Sequence, residues 1–348
     1  MTAPRPHLLG LDDAELTQLL QGPGRALMVL KSLAEGHDPR SDPKVPKSLQ
    51  VKVRARTQHT PLEEISRAEA SDGTRKLLLR LHDGHAVECV LIPERDRTTL
   101  CVSSQVGCRR GCGFCLTATM GLKRNLEAWE ITGQVHAALS RQEGLPPLRN
   151  LVFMGMGEPL DNPVAVQAAL SVLTNSRGYG FGARHVTVST VAPSPAAVHR
   201  TRDWPGRLAL SLHAADDALR RSLIATQRFD TEALVAATLE VCSHRRQPLF
   251  VEITLLDGVN DGVHHARQTA DLFASTDVEV RFNLLPMNPV AGRPYGASPQ
   301  AVAEAYAEVL RSHGFFTQLR RARGQDARAA CGQLAVLNLA PDPGAAYL

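Results

Sequence analysis

Four of the seven cysteines lie in one short stretch, residues 101–120, which reads CVSSQVGCRRGCGFCLTATM. Three of them, Cys108, Cys112 and Cys115, follow the spacing C-x-x-x-C-x-x-C. Thiolates this close together suit a loop folded around a metal centre, because soft sulfur ligands favour zinc, copper(I) or an iron–sulfur cluster. A structural zinc ion takes four protein ligands, whereas a cubane cluster held by three cysteines leaves one iron open. The stretch therefore predicts a metal centre, and an open iron would let a small cofactor bind and accept an electron.

A further cysteine that could be chemically reactive is Cys331, in the stretch RRARGQDARAACGQL at residues 320–334. It lies among small residues in a segment that also carries four arginines. Nearby positive charge favours the thiolate, which is the nucleophilic form of cysteine. The competing interpretation is a small cysteine packed beside alanines, and the local sequence is equally compatible with both. Cys89 and Cys242 have no comparable context and are expected to be packing residues.

The composition restricts the class of protein. With 348 residues, 43% of them hydrophobic, the chain can bury a sizeable core as one large α/β domain, with or without an appendage. No run of eighteen apolar residues occurs, and the first residues, MTAPRPHLLGLDDAEL, contain no apolar signal core, so we expect a cytosolic protein without membrane spans. An odd number of cysteines in a reducing compartment indicates metal or thiol chemistry rather than a disulfide framework. The net charge of +4 permits nucleic-acid binding, and an aromatic content of 4% disfavours a base-stacking platform.

The first hundred residues predict a small accessory region. Apolar residues recur at helical spacing after the helix-start pattern LDDAE at 11–15 and again over 27–33, before the breaker-rich run HDPRSDPKVP at 37–46. Alternating leucines at 77–81, a DG turn at 83–84 and an apolar run at 86–92 predict a β-hairpin. We therefore expect a helical module at residues 1–50, followed by a linker and hairpin extension at 51–98.

From about residue 99 the chain alternates between short apolar runs and helical stretches. Strand-like runs occur at 100–103, 151–154, 185–190, 208–212, 250–255, 278–285 and 315–319, and helical stretches at 127–141, 164–174, 231–242, 264–274 and 300–311. Such alternation is typical of a parallel sheet built from βαβ units. The expected fold is α/β, a partial (β/α)6 barrel over residues 99–338 that includes the Cys331 loop, with a C-terminal tail at 339–348.

Small and polar residues follow successive predicted strands. They are GMGEP at 155–159, Ser189-Thr190, SLH at 211–213, DGVND at 257–261 and PMNP at 286–289. Each group alone is ordinary loop sequence. Because active sites of such barrels lie at the carboxyl ends of the strands, their recurrence predicts that they line one pocket.

Taken together, these strings resemble the RlmN/Cfr family of radical S-adenosylmethionine (SAM) RNA methyltransferases. The cysteine spacing, with Phe114 before the third cysteine, is similar to the cluster loop of radical SAM enzymes in general. CVSSQVGC, VFMGMGEPL, VTVST, LALSLHA, LLDGVND, NLLPMNP and AACGQL follow in family order over roughly residues 75–338. The chain departs from the family at VSTVAPSP, where members usually continue VSTSG or VSTVG. The resemblance implies a radical SAM barrel.

The resemblance also implies roles for particular residues. Cys108, Cys112 and Cys115 would ligate a 4Fe–4S cluster whose open iron binds SAM. The SAM pocket would comprise Gly157, Glu158, Ser189, Ser211, Leu212, His213 and Asn288. Cys331 would take a methyl group from a first SAM, and a second SAM would generate the radical that activates this methyl for addition to adenine. Cys101 would then attack the Cys331 sulfur, releasing the methylated base and leaving a disulfide, while Glu88 would accept a proton.

A tethered methyl carrier fits the chemistry of the target. Carbon 2 of adenine is electron-poor, so direct transfer of a methyl cation would fail, and a radical route needs a methyl carrier and a second thiol. The resemblance implies that the substrate is an adenosine of 23S ribosomal RNA, methylated at carbon 2, with transfer RNA as a further substrate. We expect a cytoplasmic monomer that receives electrons from a flavodoxin-type reductant. Two alternatives stay open: a Cfr-like enzyme acting on carbon 8 or another RNA target, and a noncatalytic zinc or iron–sulfur binding module.

Overall fold

The computed structural model describes residues 5–288 and 292–336. The predicted tail at 339–348 and Pro289, the last residue of the PMNP motif, lie outside these residues. The helices are α1 (Asp13–Leu20), α2 (Pro23–Ala34), α3 (Lys47–Arg56), α4 (Ala128–Leu139), α5 (Pro163–Thr174), α6 (Pro195–His199), α7 (Asp217–Leu223), α8 (Thr231–Arg245), α9 (Val263–Leu272) and α10 (Gln300–Ser312). The strands are β1 (Glu63–Glu69), β2 (Arg75–Arg80), β3 (Ala86–Pro93), β4 (Thr98–Cys101), β5 (Gln105–Gly107), β6 (Leu122–Asn125), β7 (Leu148–Phe153), β8 (Val186–Thr190), β9 (Arg207–Ser211), β10 (Leu249–Leu255), β11 (Val280–Pro286) and β12 (Phe316–Leu319).

One large sheet organises the molecule, in the order β1-β2-β3-β4-β7-β8-β9-β10-β11-β12. From β4 through β12 the neighbouring strands are parallel, and helices connect each of them to the next. Side chains alternate across these strands: Val251, Ile253 and Leu255 of β10 are buried in the hydrophobic core, while Glu252 and Thr254 line a pocket on the other face. The predicted α/β fold, a partial barrel built from βαβ units, is confirmed.

The hairpin extension continues the same sheet, because β1, β2 and β3 pair antiparallel and β3 pairs antiparallel with β4. The alternating leucines predicted β2 and β3 correctly. The sequence contains no signal for β1, because its residues EEISRAE show no apolar alternation and none of them is buried. As a result the extension has three strands, and Glu88 on β3 lies inside the sheet rather than on its edge.

The helical segment at the N-terminus also runs further than expected. Helix α1 begins with a capping box, in which Asp12 and Glu15 exchange side-chain to backbone hydrogen bonds of 2.9 Å. Helix α3 extends to Arg56, past the predicted end of the module at residue 50. Only Leu49, Gln50 and Val53 of α3 are buried, so its amphipathic pattern was too weak to be read from the sequence.

The cysteine loop is framed by a small antiparallel sheet of β5 and β6. Gly107, the last residue of β5, has a φ of 76°, and a Cβ atom there would lie 1.8 Å from the Gly121 carbonyl oxygen. Only glycine fits this close backbone approach. Among the helices of the described residues, none is both long and apolar enough to cross a membrane.

Candidate active site

A pocket of about 850 Å³, partly open to solvent, lies at the carboxyl ends of β7–β11. It brings together residues from the cysteine loop, the strand ends and the Cys331 segment, as the sequence predicted. The predicted site residues that line it are Cys112, Cys115, Gly157, Glu158, Ser189, Ser211, His213 and Cys331. Residues far apart in the chain therefore share one cavity, which is the usual setting of a catalytic site.

The loop after β7 places Gly157 and Glu158 at the pocket wall. Gly157 has a φ of 99°, and a Cβ atom there would lie 2.6 Å from Gln105 Cβ. The Glu158 carboxylate is buried and accepts hydrogen bonds from Thr190 Oγ1 at 2.6 Å, Leu160 N at 3.0 Å and Val191 N at 3.0 Å. Burial raises the pKa of Glu158, and these donors oppose the shift. The carboxylate thus ties the end of β7 to the end of β8.

The ends of β8 and β9 supply hydroxyl groups and an imidazole. Ser189 Oγ and Ser211 Oγ lie 3.0 Å apart. His213 is buried with a φ of 62°, and its Nδ1 accepts the Thr254 amide at 3.1 Å. Burial lowers the pKa of His213 to about 3, so the ring is neutral and carries its proton on Nε2. It can therefore donate a hydrogen bond into the pocket.

Leu212 and Asn288, two of the predicted SAM-pocket residues, are not among the residues that line the pocket. The Leu212 side chain is fully buried in the core, and its backbone bonds to Glu252 O and Arg220 Nε. Asn288 is buried beside the Cys331 segment, where its Nδ2 donates to Cys331 O at 3.3 Å and its Oδ1 accepts from Gln325 at 2.9 Å. In this structure Leu212 contributes backbone position and Asn288 holds the loop that carries Cys331.

The three cysteines of the loop fit the donor chemistry of an iron–sulfur cluster. Cys112 and Cys115 line the pocket, and burial raises the pKa of Cys108 to about 12, so thiolate forms there only with a compensating cation. Among the described residues, no group of three or more His, Cys, Asp or Glu side chains could hold a metal ion as placed. Three thiols from one loop match an iron–sulfur cluster in kind and number.

A buried arginine beside the loop suits an anionic group. Arg220 is fully buried, and it donates to the carbonyl oxygens of Leu212 at 2.9 Å and Val191 at 2.7 Å. Its Nη1 has no hydrogen-bond partner in the described structure. The charge of Cys112 favours the protonated guanidinium, although burial lowers the pKa of Arg220 to about 10. A thiolate-ligated cluster would supply the negative charge that this guanidinium lacks. The sequence indicates a solvated basic residue at position 220, or one that contacts an RNA phosphate, and the burial of Arg220 contradicts both.

Cys101 and Cys331 are free thiols near the same pocket. Cys101 is buried at the end of β4, whereas Cys331 is exposed on the pocket wall. Burial raises the pKa of Cys101, and the charge of Cys331 raises it further. Cys101 pairs with Val152 of β7, next to the pocket residues Phe153 and Met154, so two cysteines separated by 230 positions in the sequence both lie at this site. Cys89 and Cys242 are buried in the core, as predicted.

Glu88 lies behind the Cys331 segment. It is buried, and its carboxylate accepts from Lys76 Nζ at 2.9 Å and from the Ala335 amide at 2.9 Å. Burial raises the pKa of Glu88, while Lys76 lowers it. The exposed carboxylate that composition would favour is therefore not what the structure shows, because β3 is an inner strand.

The turn between β1 and β2 fastens the Cys331 segment at its other end. Asp72 accepts from the Gly324 amide at 3.1 Å, and Asp326 accepts from the Ser71 amide at 2.8 Å. Nearer the cysteine, the Leu116 amide donates to Gly332 O at 2.7 Å. The hairpin extension and the cysteine loop together hold the segment over the pocket.

Two further residues bear on the site. Glu252 lines the pocket from the middle of β10, and a carboxylate inside the largely apolar strand LFVEITL is a signal that the sequence contains. Ala192 stands where the family usually has glycine, and it adopts a φ of 53° while its amide donates to Thr190 Oγ1 at 2.9 Å. The backbone shape that favours glycine is thus kept with alanine, at a cost of about 1 kcal/mol.

The barrel, the three-cysteine loop and the pocket at the strand ends define a radical SAM enzyme. The sequence profile of the Radical SAM superfamily matches residues 102–272. A solved radical SAM methyltransferase from Sphaerobacter thermophilus superposes with a TM-score of 0.87 at 36% identity, covering 94% of this chain and 99% of that one. The fold class is therefore that of a radical SAM methyltransferase, whose cofactors are a 4Fe–4S cluster and SAM.

Proteins of similar sequence identify the family within this class. A probable dual-specificity RNA methyltransferase RlmN from Gemmatimonas aurantiaca is 42% identical over 83% of this chain and 79% of its own length. The dual-specificity RNA methyltransferase RlmN of an Anaeromyxobacter species is 40% identical over 98% of this chain and 93% of its own. The chain belongs to the RlmN family of radical SAM RNA methyltransferases. Family membership sets aside the alternative of a noncatalytic metal-binding module.

Proposed function

We propose that this enzyme methylates carbon 2 of an adenosine in 23S ribosomal RNA, and an adenosine in transfer RNA, by way of a methyl group carried on Cys331. The observation that supports this most directly is the shared pocket: Cys331 lines the cavity of the strand-end motifs, and Cys101 ends the strand that pairs with β7 beside this cavity. A methyl carrier must reach both the methyl donor and the base, and a residue on the wall of the cofactor pocket meets that requirement.

The cofactors would be held by residues already in place. Cys108, Cys112 and Cys115 would ligate the cluster, and Gly157, Glu158, Ser189, Ser211, Leu212, His213 and Asn288 would form or support the SAM pocket. When bound, the cluster and SAM supply the one-electron chemistry that activates a methyl group, with two SAM molecules used per turnover. The neutral His213 donates from Nε2, and the Ser189 and Ser211 hydroxyls offer further hydrogen bonds.

The remaining steps would fall to three side chains of this chain. Cys331 would accept the methyl group and present it to the base. Cys101 would attack the Cys331 sulfur and release the product, which leaves a disulfide that an external reductant must open. Glu88 would take the proton that leaves the ring, and its raised pKa suits a carboxylate that must hold a proton. The carbon-2 assignment rests on Glu88, since it corresponds to the hairpin glutamate of the carbon-2 enzymes.

The deciding experiment is mass spectrometry of nucleosides from ribosomal and transfer RNA incubated anaerobically with the reconstituted enzyme, reductant and SAM carrying a labelled methyl group. We expect labelled 2-methyladenosine. Labelled 8-methyladenosine would replace the carbon-2 proposal with the Cfr-like reaction, and absence of label in adenosine would overturn both.

Two variants test the cysteine roles. Cys331→Ala should keep the brown cluster chromophore but form no methylated RNA, and normal turnover would refute the methyl-carrier role. Cys101→Ala should trap a covalent protein–RNA adduct that migrates slowly in a denaturing gel, and free methylated RNA alone would exclude a resolving role. Cys242→Ala is the matched control, because Cys242 is a core cysteine away from the pocket.

We further propose that the enzyme works in the cytoplasm as a monomer reduced by a flavodoxin-type protein. The odd number of cysteines, three of them at metal-ligand spacing, supports a reducing compartment. Light scattering of the reconstituted enzyme tests the monomer, and turnover with reduced flavodoxin in place of a chemical reductant tests the donor.

A further inference from the structure

A buried carboxylate faces the same pocket as Cys331 and has no role in the steps described so far. Glu252 lies in the middle of β10 and is 6% exposed. It lines the pocket together with Cys331, while its neighbours Val251 and Ile253 point into the core. A carboxylate in this position is costly to bury, so its retention on the pocket side calls for a chemical explanation.

Glu252 retains capacity to accept a proton. Its Oε1 accepts one hydrogen bond, from Asn283 Nδ2 at 2.8 Å, and among the described residues no cation lies within ion-pair distance. Burial raises the pKa of Glu252 to about 7, and the more distant Arg320 acts in the opposite direction. A carboxyl group of this kind exchanges protons readily near neutral pH.

The other candidate bases near the pocket are already committed. Both carboxylate oxygens of Glu158 already accept hydrogen bonds, which come from the end of β8, the residue after it and the loop after β7. His213 uses Nδ1 to accept a backbone amide, so its other nitrogen carries the proton and cannot accept one. Glu88 lies outside the pocket lining, on the far side of the Cys331 segment, and is the proposed acceptor of the ring proton. Glu252 is the remaining carboxylate among the described pocket residues.

Cys331 needs a base before it can carry a methyl group. Sulfur is nucleophilic as the thiolate, and desolvation on the pocket wall raises the pKa of Cys331, with the charge of Glu252 raising it further and Arg320 opposing. At neutral pH the free thiol therefore dominates. Glu252 and Cys331 line the same pocket, which is the geometric basis for pairing this carboxylate with this thiol.

We propose that Glu252 is the proton acceptor that converts the Cys331 thiol to the thiolate for its own methylation. This inference rests on the proposed role of Cys331 as methyl carrier. The S–H bond of Cys331 breaks and its proton passes to the Glu252 carboxylate, directly or through one water. The thiolate electron pair then forms the new S–CH₃ bond as the methyl–sulfonium bond of SAM breaks, which leaves S-adenosylhomocysteine and no change in oxidation state.

Several other charged or titratable groups lie around Glu252 and Cys331 and affect how the protonation of these two residues changes with pH. Arg320 follows β12, Cys115 belongs to the cysteine loop, and both act on Cys331. The remaining titratable groups of the pocket wall are Cys112, Glu158 and His213. None of them is altered in the variants below, so a change in the pH profile is attributable to Glu252.

The test follows methylation of Cys331 without RNA. Reconstituted enzyme is incubated with SAM bearing a labelled methyl group at pH 6 to 9.5, and the Cys331 peptide is quantified by mass spectrometry, which also reports any methyl present at the start. In Glu252→Gln we expect labelling at pH 7 to slow by about 100-fold, the lower range for loss of a general base. The rate should recover as pH rises, because hydroxide replaces the missing base.

Whether Glu252→Gln slows or accelerates Cys331 labelling at pH 7 distinguishes a proton acceptor from a group that only repels negative charge. If Glu252 only repels negative charge, its neutralisation favours the Cys331 thiolate, and labelling at pH 7 becomes faster. An unchanged or faster rate therefore overturns the inference, as does normal Cys331 methylation combined with loss of RNA methylation. Glu252→Asp should restore part of the rate, and Glu240→Gln, a control carboxylate on the exposed face of α8 outside the pocket lining, should leave Cys331 labelling unchanged.

A second probe separates this inference from the proposed function. Alkylation of Cys331 by iodoacetamide needs the thiolate but no SAM, and it should slow in Glu252→Gln at pH 7 with the same recovery at high pH. If wild-type Cys331 gains no labelled methyl, the methyl-carrier role fails, and the iodoacetamide rates still decide the role of Glu252. Far-UV circular dichroism and cluster absorbance confirm that each variant is folded and loaded.

Discussion

Replacing Gly157 with alanine tests whether the loop after β7 holds the SAM pocket in shape. Gly157 has a φ of 99°, a region that alanine rarely adopts. An added Cβ would lie 2.6 Å from Gln105 Cβ and 2.8 Å from Gln105 N. Gln105 cannot simply move aside, since its Oε1 accepts the Glu158 amide at 2.9 Å and its own amide donates to Met156 O at 3.2 Å.

Three effects add to the expected destabilisation. The left-handed backbone costs alanine about 1–2 kcal/mol. Overpacking of a tight contact costs about 1–3 kcal/mol. Displacement of Gln105 or of the loop loses a hydrogen bond worth about 1 kcal/mol. We expect the free energy of unfolding to fall by about 3 kcal/mol or more, or the loop to shift and weaken SAM binding by at least about tenfold.

Two other glycines provide matched controls. Gly84 has a φ of 83° and open space around its Cα, so Gly84→Ala isolates the backbone cost of about 1–2 kcal/mol. Gly24 lies in α2 with open space and no positive φ, so Gly24→Ala should be neutral or stabilise by up to about 1 kcal/mol.

Anaerobic urea denaturation followed by circular dichroism gives the relative stabilities, and equilibrium dialysis with labelled SAM gives the affinity. If Gly157→Ala unfolds at the same urea concentration as Gly84→Ala and binds SAM like the wild type, the steric contact with Gln105 has no consequence. The reasoning about this loop would then be wrong.

Three further predictions concern the hydrogen bonds that hold the Cys331 segment, the buried Arg220 and the pH dependence of stability. Asp72→Asn should weaken the contact to the Gly324 amide by about 1–2 kcal/mol, seen as roughly tenfold faster amide hydrogen exchange in the Cys331 segment and unchanged exchange in α10. Arg220→Met leaves carbonyl oxygens at the ends of β8 and β9 without donors and should destabilise the fold by about 3 kcal/mol or more, with cluster content per folded chain also reduced. Burial lowers the pKa of His7 to about 3 and of His59 to about 4, so both are neutral in the folded state; their contribution to stability is complete above the ordinary pKa of about 6.5 and is lost as pH falls toward 4. Urea midpoints between pH 7.5 and 4.5 measure this loss, and an unchanged midpoint in that window would contradict it.

The sequence alone determined the architecture and the chemistry of the metal centre. Short apolar strands alternating with helices are a local signal, because a strand buried on both faces must be apolar along its length. The C-x-x-x-C-x-x-C spacing is equally local, so the ligand set could be proposed without a fold. The strand-end motifs could be assigned to one pocket because parallel strands place their carboxyl ends at one edge.

Local sequence patterns did not predict the short or exposed helices and strands. Strand β1 carries almost no buried side chain, and β5 has only three residues. Helix α7 spans seven residues and is held by Arg220, whose hydrogen bonds go to carbonyl oxygens of residues up to 29 positions away. Periodicity cannot reveal such elements, because tertiary contacts rather than their own patterns stabilise them.

The tertiary structure alone decided which residues face one another. Cys101 and Cys331 come to the same site because β4 pairs with β7, whose end lines the pocket, and the segment after β12 returns to the pocket wall. Glu88 is buried because β1 and β2 extend the sheet beyond it. The same folding turns Glu252 from an odd carboxylate in an apolar strand into a group beside a thiol. Burial and proximity depend on contacts across the whole chain, and they set the protonation states on which the chemistry depends.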